Sequence, residues 1–122
     1  MLNNHKSILI YGLDKEGQQA LMAPNYSTIV ISKEMANMKL KEIIDGYKFE
    51  SNDKELPEEK VVIFNNFTDE ELQGMIKLIR AVAPGCILAV VTPTSIDWTF
   101  AYLVEHLMEE REWYRSQQKG RA

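Results

Sequence analysis

The chain has 122 residues, 45% of them apolar and 26% charged, with a net charge of −4 at pH 7. This is the size and composition of one globular domain spanning residues 1–122, long enough to bury roughly two-thirds of its unfolded surface without a disulfide or a metal. The acidic balance argues against a protein that binds nucleic acid by neutralising phosphates, and against one held to a membrane by a basic patch.

Met1 to Lys6 is polar and leads into the run Ser7-Ile8-Leu9-Ile10-Tyr11, closed by Gly12. The run is continuous rather than alternating, as in a strand covered on both faces. Asp14 is placed to cap a helix from Lys15 to Met22, and Pro24-Asn25 breaks the chain. Thr28-Ile29-Val30-Ile31 is short and β-branched and predicts a second strand. Ser32 then opens a helix through Met35, Met38, Leu40, Ile43 and Ile44, stopped at Gly46. The stretch from Tyr47 to Glu59 is polar and is read as the longest connection, with room for a short extra strand at Tyr47-Lys48-Phe49.

Val61-Val62-Ile63-Phe64 is a buried strand ending at Asn65-Asn66. Thr68 and Glu71 have the spacing of a capping box, and Leu72, Met75, Ile76 and Ile79 share one helix face. Pro84-Gly85 ends that helix. Cys86 to Val91 is the fourth strand, Thr92-Pro93-Thr94-Ser95 a turn, and Ile96 to Arg115 the last helix, with Phe100, Leu103, Val104 and Leu107 as its buried stripe. Ser116 to Ala122 is read as a frayed tail. No internal repeat stands out along the sequence.

Strand and helix alternate four times, which predicts an α/β fold: a four-stranded, mainly parallel sheet of order 2-1-3-4 with helices on both faces. A ferredoxin-like α+β layout, with antiparallel pairing and one open face, is the alternative. Ligands of open parallel sheets bind beyond the carboxyl ends of the strands. Here those ends are Gly12-Leu13-Asp14, Asn65-Asn66-Phe67 and Thr92-Pro93-Thr94-Ser95. The last gathers three hydroxyls before a helix N-terminus, where free N–H groups favour an anion, although Asp97 follows and repels one. The plainer reading makes Thr94 or Ser95 a helix cap and Trp98 a lid over the sheet's end.

Neither a dinucleotide fingerprint nor a P-loop is present. Asn65 stands where a phosphoacceptor aspartate would be needed. His5, His106 and the single Cys86 lack any zinc spacing, so no metal and no cofactor is expected. Cys86, in a buried strand, is read as inert packing. Glu105, Glu109, Glu110 and Glu112 form a solvated helix face with Arg111 and Arg115, and Trp113 and Tyr114 beyond them suit either a protein partner or the core's edge. With no signal-peptide pattern, no membrane-length apolar run and one cysteine, a reducing cytoplasm is the expected compartment.

The second half resembles a bacterial family known as domain of unknown function 3783. The resemblance is carried by Val61-Val62-Ile63-Phe64, by Thr68-Asp69-Glu70-Glu71-Leu72, and above all by Ala89 to Thr99, continuing into Glu109-Glu110-Arg111. It covers residues 61–112. The family pattern resembles Thr-Pro-Thr-Asn-x-x-Trp, and this chain has Ser95 at the asparagine position. The resemblance implies no activity or substrate; it singles out Thr92, Pro93, Thr94 and Trp98.

Three functions are compatible with these residues. The first is a non-catalytic module binding a small ligand or a protein at Asn65, Thr92, Thr94, Ser95 and Trp98. The second is a small hydrolase or transferase with Asp14 or Asp97 as base. The third is a homodimer formed through the last helix, Trp113 and Tyr114.

Overall fold

The computed structural model describes residues 6–24, 26–46 and 58–119. Four strands, β1 (Ser7–Tyr11), β2 (Ser27–Val30), β3 (Val61–Asn65) and β4 (Ile87–Val90), form one sheet of order β2-β1-β3-β4. Four helices, α1 (Lys15–Leu21), α2 (Leu40–Ile44), α3 (Asp69–Val82) and α4 (Phe100–Lys119), alternate with them. A single 3₁₀ turn precedes each of α2 and α4, at Lys33–Met35 and Ser95–Asp97. The possible extra strand at Tyr47-Lys48-Phe49 lies outside the described residues.

The sheet is mixed and mostly parallel. β1 pairs parallel with β2 and β3 parallel with β4, while β1 and β3 run antiparallel, with Leu9 opposite Ile63. The strand order is the predicted one. The reversal at the centre means that the end of β1, and with it Gly12-Leu13-Asp14, lies on the opposite rim from the ends of β3 and β4.

Both faces of the sheet are covered, as the unbroken apolar strands require. Ile8, Ile10, Val62 and Phe64 point to one face, under Leu21 of α1 and Ile79 of α3. Leu9, Tyr11, Val61, Ile63 and Ile87 point to the other, under Leu40 and Ile43 of α2 and Phe100, Leu103 and Val104 of α4. Alternate residues of one strand thus feed two separate cores.

The second helix is shorter than its sequence predicts. Lys39 is extended (φ −72°, ψ 150°), and only a short helix follows. The cause is tertiary. Lys39 forms an isolated antiparallel bridge with Thr99, where the Leu40 amide donates to the Trp98 carbonyl and the Phe100 amide to the Met38 carbonyl, each at 2.9 Å. A helix running on from Ser32 would close those groups on themselves. The same bridge delays α4 until Phe100 rather than Ile96. At its other end α4 continues to Lys119, so Ser116 to Lys119 is helical rather than frayed.

Gly12 has φ +80°, and a Cβ there would lie 2.1 Å from the carbonyl oxygen of Glu59. The chain entering β3 therefore passes directly over this glycine, and both the backbone conformation and the space demand it. Gly12→Ala should cost at least about 2 kcal/mol of unfolding free energy, against about 1 kcal/mol for Gly85→Ala, which has a similar φ but open space. Urea unfolding of the two variants checks this ranking.

Candidate functional site

The predicted residues Asn65 and Thr92 do emerge on one rim, because β3 and β4 are parallel and the Val91 amide donates to the Phe64 carbonyl at 2.9 Å. Asn65 is buried, and its Nδ2 donates to the hydroxyl of Ser7 at 3.4 Å. Ser7, at the start of β1, thus takes the place at this rim that sequence reasoning gave to Gly12-Leu13-Asp14. An antiparallel neighbour brings its beginning, not its end, to the rim.

Thr92 and Ser95 form a closed box. The Thr92 amide donates to Ser95 Oγ at 2.9 Å, and the Ser95 amide donates to Thr92 Oγ1 at 3.0 Å. The Thr92 hydroxyl lies 3.1 Å from the Ser95 hydroxyl and donates to it, and the Ile96 amide donates to the Thr92 carbonyl at 3.0 Å. Ser95 is buried, while Thr92 and Thr94 are exposed. Thr94 makes no side-chain cap bond. Most of the polar capacity of this turn is therefore spent on the turn itself, with Thr92 rather than Thr94 serving the following amide.

Trp98 is half-buried against the core beneath α4. Its ring meets those of Tyr102 and His106 edge to face, with centroids 4.9 and 5.2 Å away. Tyr102 and His106 lie nearly parallel, with ring centroids 6.5 Å apart. His106 Nε2 is 2.9 Å from a carboxylate oxygen of Glu110, one turn on.

Residues 60–114 match the family model described as Domain of unknown function (DUF3783). No curated protein and no solved structure matches the chain. The match agrees with the resemblance carried by the Thr92 to Trp98 motif, and it runs through β3, α3, β4 and most of α4.

The matched segment ends at Trp113-Tyr114, which are 58% and 62% exposed and in edge-to-face contact at 5.1 Å. Both rings stand on the surface rather than at the core's edge. Trp113 falls about three helical turns after Tyr102 and so on the same side of α4. Sequence reasoning gave Tyr102 no role and weighed His106 only as a histidine without zinc spacing. The successive spacing of four, from Trp98 to Tyr102 and from Tyr102 to His106, was the available signal, masked because Tyr102 borders the apolar stripe.

Arg111 does not belong to the solvated face assigned to it. Its Nη1 donates to Glu59 at 3.3 Å and its Nη2 to the other oxygen of the same carboxylate. The pair ties α4 to the chain entering β3, holding the Glu59 carboxyl below the ordinary range and raising the Arg111 guanidinium. Residues 112–117 past it are all exposed.

The carboxylates considered as bases are otherwise engaged. Asp14 caps α1, accepting from the Gly17 amide at 2.8 Å, on the rim away from the DUF3783 motif. Asp97 pairs with Lys41 of α2 at 3.0 Å, and the hydrogen bond and charge of Lys41 lower its pKa. Burial pushes the Cys86 thiol up to about 11, which keeps it protonated. Among the described residues no group of three His, Cys, Asp or Glu is placed to hold a metal.

Two measurements follow from this geometry. Ser95→Ala should lower stability by about 1–2 kcal/mol, since it leaves the Thr92 amide and hydroxyl without their acceptor, while Thr94→Ala should stay within about 0.5 kcal/mol of wild type. Because the Asp97 pKa is depressed in the folded state, its contribution is present above the ordinary carboxylate pKa and lost as pH falls through the folded value. Lys41→Met should move the Asp97 titration upward in an NMR pH series and remove that acid-side loss.

Proposed function

We propose that this protein is a non-catalytic protein-binding module whose contact face is the outward side of α4. The observation that carries the reading is two groups of rings along α4, Trp98 with Tyr102 and His106, and Trp113 with Tyr114, of which Tyr102, Trp113 and Tyr114 are exposed. Tyr102 is 52% exposed, and with Trp113 and Tyr114 it leaves large apolar surface uncovered on a helix whose first turns are packed through Phe100, Leu103 and Val104. Aromatic surface of this kind is enriched at interfaces, where a ring offers area at little entropic cost. The exposed carboxylates of Glu105, Glu109 and Glu112 stand among and beside these rings. They favour a partner that brings basic side chains around an apolar strip. A second copy of the chain is the simplest homotypic partner for the same face.

The small-ligand reading at Asn65, Thr92, Thr94 and Ser95 has less support. The Thr92 and Ser95 hydroxyls bond each other, and Asn65 is turned into the fold. The hydrolase or transferase reading asks for a carboxylate raised towards neutrality. Asp97 is shifted the other way, and Asp14 is on the far rim. No helix among the described residues is long and apolar enough to cross a membrane. The lone cysteine fits a module at work in a reducing cytoplasm.

The test pairs stability with association. Trp113→Ala with Tyr114→Ala should leave the urea midpoint nearly unchanged, since both rings are exposed. The same change should weaken partner binding by about thirtyfold or more, the loss expected when a central aromatic anchor is cut away. Sedimentation velocity reads self-association, and affinity capture from the producing cells reads other partners. A double variant that self-associates and captures the same proteins as wild type would remove the proposal.

A further inference from the structure

The chain repeats one order of elements twice: strand, helix, strand, 3₁₀ turn, helix. The registers repeat as well. Ser7 stands beside Ser27 as Val61 stands beside Ile87, and Ile10 beside Val30 as Phe64 beside Val90. Each inner strand ends in a left-handed residue, Gly12 at φ +80° and Asn66 at φ +65°. Asp14 and Thr68 follow at the same distance, and each caps its helix by accepting the amide three residues on.

Where the two halves meet, the contacts map onto themselves. Ser7 lies opposite Asn65 and Tyr11 opposite Val61, so the pairing is centred on Leu9 and Ile63. Above it, Lys39 faces Thr99, and the amide-to-carbonyl bond from Leu40 to Trp98 is returned by one from Phe100 to Met38. Reciprocal bonds about one centre are what a two-fold, isologous interface requires. Leu40, Ile43 and Ile44 occupy the places of Phe100, Leu103 and Val104, and all six lie in one core.

We infer that residues 7–44 are a diverged second copy of the unit that the family model matches at 60–114, and that the inner edge of β3 with Trp98–Phe100 is a self-pairing surface whose fitting partner is another such unit. Divergence explains why only one half is recognised. Helix α1 has 7 residues where α3 has 14. The Thr92/Ser95 box is replaced by Ser32 and Met35, whose sulfur takes the Ser32 amide at 3.5 Å. Trp98, Tyr102 and His106 have Met38, Glu42 and Gly46 as counterparts. The first copy completes the sheet and lacks these rings.

A tandem chain tests this directly. Residues 6–46 are replaced by a second copy of residues 60–106, with the 47–59 connection kept, in a Cys86→Ala background. The inference expects a monomer in sedimentation, cooperative urea unfolding, and, with Thr99→Cys in both copies, one intrachain disulfide on mild oxidation. A milder graft replaces Ile31 to Leu40 with the sequence Val91 to Phe100 and leaves the rest native. Its Phe100 amide should exchange within about tenfold of the wild-type rate, because the reciprocal bond is retained. A tandem chain that unfolds without cooperativity or fails to cross-link overturns the inference. So does a graft whose Phe100 amide loses its protection.

Discussion

The antiparallel pairing of β1 with β3 is the contact on which the molecule depends. Among the described residues it joins the two parallel strand pairs into one sheet, and it sets which loops share a rim. It also sets where the helices go. Each parallel pair places its connecting helix on one face and its following helix on the other, so α1 meets α3 while α2 meets the turn before α4 and shares a core with α4. The sheet is thereby closed above and below by two helices from different halves.

The same junction decides the chemistry at the rim. Had all four strands run one way, Asp14 would have joined Asn65 and Thr92 beside a run of hydroxyls. The reversal sends Asp14 to the far side and brings Ser7 instead, which satisfies the Asn65 amide inside the fold. Thr92 and Ser95 satisfy each other, and Asp97 is held by Lys41. Aromatic rings remain exposed on a helix about 30 Å long that runs beyond its anchor at Arg111.

Much of this was legible in the residues. The unbroken runs Ile8-Leu9-Ile10 and Val61-Val62-Ile63-Phe64 announce strands covered on both faces, and the Thr68/Glu71 box marks the start of α3 within one residue. Strand order follows from alternation and crossover rules. Direction across the centre does not, because the long connection from Tyr47 to Glu59 permits either sense, and a buried apolar strand reads alike in both. The delayed starts of α2 and α4 were hidden for a similar reason. Lys39 and Thr99 have no strand-like neighbours, and only their meeting across the two halves makes them extended. Side-chain roles that depend on distant partners were misread in the same way: Arg111 looked like one charge among several until Glu59 was placed beneath it.

The account therefore stands on the sense and register of β1 against β3. Nuclear Overhauser contacts between backbone protons across these two strands measure it without any substitution. The account predicts cross-peaks linking Leu9 with Ile63, Ser7 with Asn65 and Tyr11 with Val61. Cross-peaks that instead join Ser7 to Val61 and Tyr11 to Asn65 would mean parallel strands. They would return Asp14 to the rim of Thr92 and dissolve the two-fold relation between the halves.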